Sequence, residues 1–154
     1  MASDYQIVGF HFRVSFLNLP TSKDEADMKF QSVTGLDVQI DKESIREGGE
    51  NRFEHNIPGR RKYTTLTLKR GLLKPKDSGL TKWFQEAFQN LIITPVGKVN
   101  VELLNENHDV LIQWELSHVW PVSWKVGELN AERGEVLIET LELNYNYFKL
   151  VEVN

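Results

Sequence analysis

Four histidines, His11, His55, His108 and His118, are the side chains of this sequence best suited to binding a metal or moving a proton near neutral pH. None has metal-ligand spacing to a second histidine, although two could meet in a folded chain. Serine and aspartate are present, but no nucleophile-elbow pattern accompanies them. Gly48-Gly49 lacks the Gly-Lys-Ser/Thr ending of a phosphate loop. Glu139 and Glu142 lie in strand-like sequence and read as solvated faces rather than as an acid–base pair. Cysteine is absent, which excludes disulfides and thiolate ligands. We therefore expect no catalytic residues, no metal and no cofactor.

What remains is charge. Arg60-Arg61-Lys62 and Lys69-Arg70 are the basic clusters, but Glu47, Glu50 and Glu54 cancel much of their field. With a net charge of −4, nothing favours nucleic acid as a general partner. Salt bridges to a neighbouring protein subunit are the better reading, since such charges fix register and partner choice.

The segment that carries these charges is a polar loop at about residues 43–62, followed by a strand. It runs Arg46-Glu47-Gly48-Gly49-Glu50-Asn51-Arg52 and on to Pro58-Gly59. Gly48-Gly49 tolerates positive φ, and Pro58-Gly59 has the chemistry of a tight turn. Long ordered loops between strands are uncommon and tend to be functional.

The elements that hold this loop are mostly strands. Val8 to Phe16 alternates with period two, with Val8, Phe10, Phe12, Val14 and Phe16 on one face. Met28 to Ile40 reads as a second strand interrupted near Val33-Thr34-Gly35, and Tyr63 to Arg70 as a third. Leu80, Trp83, Phe84, Ala87, Phe88 and Leu91 share one helical face, which predicts a helix at about 79–91 with Asp77 or Ser78 as N-cap. Val99 to Leu104 and Val110 to Ser117 form a hairpin across 105–109. Trp120-Pro121 marks an edge or corner. Glu135 to Tyr147 is a long final strand whose first half is apolar on both faces.

The expected fold is mainly β: a small barrel or sandwich of short strands with one helix between the third and fourth, in a single domain over 1–154. At this length a chain buries about 68–70% of its unfolded surface, and 40% hydrophobic residues, with four Trp and eight Phe, suffice for a core. There is no internal repeat. The N-terminus has neither a cationic region nor a continuous apolar run, so no Sec-type signal peptide or membrane anchor is expected.

Two blocks carry a family resemblance. The first is Val33-Thr-Gly-Leu36 with Arg46-Glu-Gly-Gly-Glu-Asn51, Ile57-Pro-Gly59 and Leu66-Thr-Leu-Lys-Arg-Gly71. The second is Val119-Trp-Pro-Val-Ser-Trp124, Leu129-Asn-Ala131 and Glu135 to Leu143. In order and extent they resemble the tail tube proteins of contractile-tailed phages and of extracellular contractile injection systems. The resemblance implies a β-barrel or sandwich of two packed antiparallel sheets with one flanking helix, in a structural protein, not an enzyme, that forms homohexameric rings stacked into a hollow tube. Its implied partners are itself, tube-initiator and baseplate proteins, a contractile sheath, and protein or DNA cargo in the bore. It also implies assembly in a bacterial cytoplasm, as a component of a virion or phage tail-like particle that can act outside the cell.

By the same resemblance, the loop from Glu43 to Pro58 reaches the adjacent ring through Arg46, Glu47, Asn51 and Arg52, with Gly48, Gly49, Pro58 and Gly59 shaping it. Trp120, Pro121, Trp124, Leu129, Asn130 and Ala131 form an inter-subunit corner, the alternative for the tryptophans being the subunit's own core. Asn100, Glu102, Gln113, Glu115, Glu139 and Glu142 are candidates for the bore, with outward solvent as the competing reading. Glu139 and Glu142 have opposite parity, so a regular strand lets only one of them face it.

The stretches Thr21 to Ala26 and Leu72 to Ser78 look long for a simple tube subunit, and Asn144 to Leu150 is unusually aromatic. These departures leave a tube initiator, joining tube to baseplate, as the alternative within the family. A non-catalytic ligand-binding β-barrel is the alternative outside it.

Overall fold

Period-two alternation places Phe12, Val14 and Phe16 of the first strand against Val99 and Val101 of a second, and the fold grows from such pairs. A computed structural model describes residues 11–19, 29–45, 55–132 and 134–152. Its strands are β1 (His11–Leu17), β2 (Ser32–Thr34), β3 (Val38–Ile45), β4 (His55–Tyr63), β5 (Leu66–Gly71), β6 (Val96–Leu104), β7 (Val110–Val126), β8 (Ile138–Asn144) and β9 (Tyr147–Val151). One α-helix, α1 (Gly79–Gln89), lies between β5 and β6.

All pairings are antiparallel. One layer has the order β1-β6-β7-β9 and the other β7-β8-β5-β2. Strand β7 belongs to both. Its first half pairs with β6 and β9 and its second half with β8. The change of layer follows His118, whose φ of 56° is a left-handed conformation that β-strands do not otherwise use. A second irregularity between Pro121 and Ser123 adds an extra residue opposite β8, which bends the strand further. The expected hairpin across 105–109 is present, with Asn105 Oδ1 accepting from Asn107 and Asp109 backbone N–H groups at 2.8 and 2.9 Å.

The two layers enclose one apolar cluster. Val14, Leu66, Leu68, Val99, Val101, Leu116, Val119, Leu141 and Leu143 come from strands, and Leu80, Trp83 and Phe84 from α1. Ser78 caps α1 by accepting from the Thr81 backbone N–H at 3.1 Å.

Several boundaries differ from the sequence reading. Met28 to Ile40 is not one strand, and Met28 itself lies outside the described residues. β2 pairs with β5 in the sandwich, whereas β3 pairs with β4 away from it. The break is Gly35, with φ of 99°, where a Cβ would sit 2.0 Å from the Thr65 carbonyl oxygen. The final strand divides at Tyr145 into β8 and β9, and Val136 is 73% exposed rather than covered. The strand expected from Val8 begins at His11 among the described residues. On the helix, Leu80, Trp83, Phe84 and Ala87 are buried as their spacing requires, but Phe88 is exposed, and the helix stops at Gln89, so that Leu91, with a φ of 56°, lies beyond it and is exposed.

Candidate functional site

The residues at about 43–62 are not a long loop. β3 and β4 form a two-stranded arm that, among the described residues, pairs only with itself, and its connection, 46–54, lies outside them. Arg46, Glu47, Gly48, Gly49, Asn51 and Arg52 fall in that connection. Pro58-Gly59 is not a turn either. Register runs from Ile40↔Arg61 to Lys42↔Pro58, so Gly59 and Arg60 both face Asp41 in a bulge. Glycine suits this point, since a Cβ on Gly59 would come within 2.9 Å of the Asp41 carbonyl oxygen.

The arm exposes Val38, Ile40, Ile45 and Ile57. Its base is held from the core. The Tyr145 hydroxyl donates to the Thr64 carbonyl oxygen at 2.7 Å and shares its proton with the Gly35 carbonyl at 3.1 Å. Burial, aided by the negative charge of Asp37 and by Tyr63, pushes this phenol up to about 12. The donor therefore persists at any physiological pH.

The candidate corner divides. Pro121 is buried, Trp120 is half-buried, and Trp124 faces the subunit's own core. The Trp124 ring lies edge-on to Phe84 at 6.3 Å, and its indole N–H donates to Glu139 Oε1 at 2.6 Å. Trp124 thus takes the alternative left open for it. Leu129 and Ala131 are exposed, and Asn130 Oδ1 accepts from the Glu132 N–H at 2.9 Å.

The candidate bore residues also divide. Register brings Asn100 opposite Glu115 and Glu102 opposite Gln113, on the face of β6 and β7 that points away from the core. Arg13 donates through Nε and Nη2 to both oxygens of Glu102, each at 3.2 Å. Glu115 lies 3.5 Å from Lys98 Nζ and 3.6 Å from Lys149 Nζ. This face is charge-compensated rather than acidic. Glu142 is at the surface of the other layer, bonded by Lys125 at 2.9 Å.

Glu139 is not a bore residue. It is fully buried, and Arg70 is only 2% exposed. The Arg70 Nε donates to Glu139 Oε2 at 2.9 Å, and Nη2 donates to Ser78 Oγ at 2.9 Å and Thr81 Oγ1 at 3.0 Å. The guanidinium also lies 5.5 Å from the centroid of the Phe30 ring. One ion pair thereby ties β5 and β8 to the start of α1. Its signal in the sequence was parity: Leu66, Leu68 and Arg70 share one face, as do Glu139, Leu141 and Leu143. It follows that Lys69-Arg70 is not a surface basic cluster.

His11 and His108 do meet, with ring centroids 5.3 Å apart and planes at 21°. They stack face to face, a geometry that does not converge two nitrogens on one point. Among the described residues no group of three or more His, Asp or Glu side chains could hold a metal ion, and no helix is long and apolar enough to cross a membrane.

The model of the T4-like virus tail tube protein gp19 family matches residues 8–149. A chain in a structure of the anti-feeding prophage baseplate, 6-fold symmetrised, is 31% identical over 97% of both chains, with a TM-score of 0.81. A chain in the sheath–tube complex of an extracellular contractile injection system, PVC, is 23% identical over 97% of this chain and 94% of that one, with a TM-score of 0.78. The Hcp1 protein of Salmonella typhimurium shares the fold at 13% identity and a TM-score of 0.55, over 87% of this chain and 80% of that one. No curated protein sequence matches. A mainly β sandwich with one helix, a projecting arm and a family match across nearly the whole chain agree, and the chain belongs to the T4-like tail tube family, as a tail tube protein of contractile injection systems.

Proposed function

We propose that this chain is a ring-forming subunit of the inner tube of a contractile injection particle, one tail-tube domain whose rings stack into a hollow conduit. The observation that carries this reading is the arm. A two-stranded ribbon is marginal alone in water, and one that exposes Val38, Ile40, Ile45 and Ile57 needs a partner surface. Among the described residues β1, β9, β2 and the second half of β7 leave open sheet edges, which joining between copies would satisfy. Six copies per ring is supported by the 6-fold symmetry of the baseplate containing the 31%-identical chain. The conduit has a structural role, with sheath and baseplate as partners, and no catalytic step is part of it.

The outward face of β6 and β7, with Asn100, Glu102, Gln113 and Glu115, is the proposed bore wall. Its carboxylates are paired with Arg13, Lys98 and Lys149. The wall then carries little net field, and passing cargo meets a hydrated surface without strong attraction. Assembly in the bacterial cytoplasm and delivery of protein or DNA cargo belong to the same proposal.

A second reading within the family is a tube initiator at the baseplate. The higher identity to the baseplate chain, 31% against 23% for the sheath–tube chain, favours considering it. A ligand-binding barrel is disfavoured by an interior filled with Phe84, Leu66, Leu68, Leu116, Leu141 and Leu143.

Negative-stain microscopy of the purified chain tests the proposal. Rings and tubes of uniform width are expected from a shaft subunit, and single rings without long tubes from an initiator. A protein that stays monomeric across concentrations would overturn both. Arg46→Asp combined with Arg52→Asp should leave rings intact and shorten tubes; an unchanged length distribution removes the connection at 46–54 from stacking.

A further inference from the structure

On the face of the β1-β6-β7-β9 layer that points away from the core, register sorts the charges by strand. Glu102 of β6 lies opposite Arg13 of β1, and Glu115 of β7 lies opposite Lys149 of β9. Lys98 of β6 pairs with Ser117, one row along the face from Glu115. The two carboxylates therefore stand on central strands, and two of the three cations stand on the edges.

Charge is also sorted by height. The carboxylates are recessed, with 13% of the Glu102 side chain and 15% of the Glu115 side chain exposed. Their partners project: Arg13 is 41% exposed, Lys98 54% and Lys149 62%. Long Lys and Arg stems carry their heads further from the strand than Glu can reach. Lys98 and Lys149 moreover share one carboxylate, at 3.5 and 3.6 Å, so three cations answer two acids. A body moving along this face meets the cation tips first.

Such a face attracts anions, but loosely. Exposed ionic contacts are individually small and are screened by salt. Joining β1 of one copy to β9 of the next brings Arg13 and Lys149 to the same seam, so the cations repeat around a ring.

Two observations favour acidic protein over duplex DNA as the anion. A duplex about one strand long, ~17–20 Å, carries about 10–12 phosphates. One surplus cation per copy falls well short of that, even with the 6-fold symmetry of the related baseplate. Leu17 and Tyr147 also stand in the row of Lys98, 43% and 47% exposed. A duplex offers these side chains only phosphate and sugar, whereas a protein offers them apolar groups.

We propose that this face is a weak, salt-labile binding surface for acidic protein segments carried in the bore. The proposal rests on the reading that the chain forms stacked rings around a bore, and it names the class of cargo which that reading leaves open.

Binding to assembled tubes of the full chain tests it, with a fluorescent oligoglutamate peptide read by anisotropy. The peptide should bind, an oligolysine of equal length should not, and added salt should release the bound peptide. Lys98→Gln with Lys149→Gln should weaken binding at least about 10-fold, because many copies along one bore act together. Glu115→Gln should tighten it, and this second variant decides the matter if the first does not assemble. Lys69→Gln with Lys125→Gln, on the outward face of the other layer, should leave binding unchanged. Equal binding of the two peptides, no change in the Lys98 and Glu115 variants, or an equal loss in the Lys69 variant overturns the proposal. Tighter binding of a duplex DNA of the same net charge also overturns it, since the occupant is then nucleic acid. Tubes of normal length that bind no peptide leave the assembly reading standing without it. A chain that forms no tubes removes both.

Discussion

Arg70 and the Arg60-Arg61 pair belong to one continuous run of sequence, yet the molecule uses them in opposite ways. Arg70 is enclosed, with Glu139, Ser78 and Thr81 taking up its donors. Arg60 and Arg61 stand on an exposed ribbon beside Ile40 and Ile57. The first arginine is satisfied within its own subunit, so its removal is a stability problem. The others are exposed on the arm, so their removal should cost the subunit little stability. The boundary between the two regimes is Gly35 with Thr64, where Tyr145 pins the arm to the core.

The largest effect should come from the enclosed pair. Glu139→Ala leaves Arg70 buried without its carboxylate and should cost about 3–5 kcal/mol. Denaturant unfolding of the subunit measures this. Arg70→Met together with Glu139→Leu should recover most of the loss, because replacing a buried pair by apolar groups is often neutral. If Glu139→Ala unfolds at the unaltered midpoint, the contrast between the two regions fails.

Leu68→Ala, in the same strand as Arg70, should cost about 2–5 kcal/mol by opening a cavity in the cluster. A loss in that range would show that the apolar and ionic parts of β5 are comparable. A much smaller loss than for Glu139→Ala would make the ion pair dominant.

Tyr145→Phe removes a buried hydroxyl from two carbonyls and should cost about 1–3 kcal/mol. It also has a pH signature. The phenol titrates at about 12 in the fold against 10.0 for the unperturbed group. Between those values the folded chain keeps a proton that the unfolded chain loses. Stability is therefore intact below pH 10 and falls as the pH rises towards 12. Tyr145→Phe should remove that part of the decline, as thermal unfolding across this range would reveal. Hydrogen exchange at β3 and β4 should also quicken, and unchanged exchange would separate the arm from the latch.

The smallest effect on stability belongs to the arm. Ile40→Thr with Ile57→Thr should change subunit unfolding by less than about 0.5 kcal/mol per site, as exposed substitutions usually do, while tube formation measured by light scattering falls sharply. A large loss of subunit stability would mean that the arm packs on its own sandwich.

Much of the fold was legible because alternation is local. Phe12, Val14 and Phe16, the helical face from Leu80 to Ala87, and the turn at 105–109 all announce themselves within a few residues. The arm was mistaken for a loop because its strands carry Lys, Glu, Arg, Pro and Gly, which are poor strand formers. Pairing with one another, rather than propensity, makes them strands. The bend at His118 left no mark in residue type, since a left-handed histidine is selected by the change of layer.

By itself the sequence determined the mainly β class, the helix with a cap at Asp77 or Ser78, the family blocks, and which residues share a strand face; the structure chose Ser78 as the cap. These follow from periodicity and from short-range backbone chemistry. Only the tertiary structure decided which face of each strand meets the core and which distant strand lies beside it. That is why Glu139 moved from a supposed bore to a buried ion pair with Arg70, while Glu102 and Glu115 came together on an open face. Alternation relates neighbours along one strand, whereas inside and outside are settled by what packs across from it.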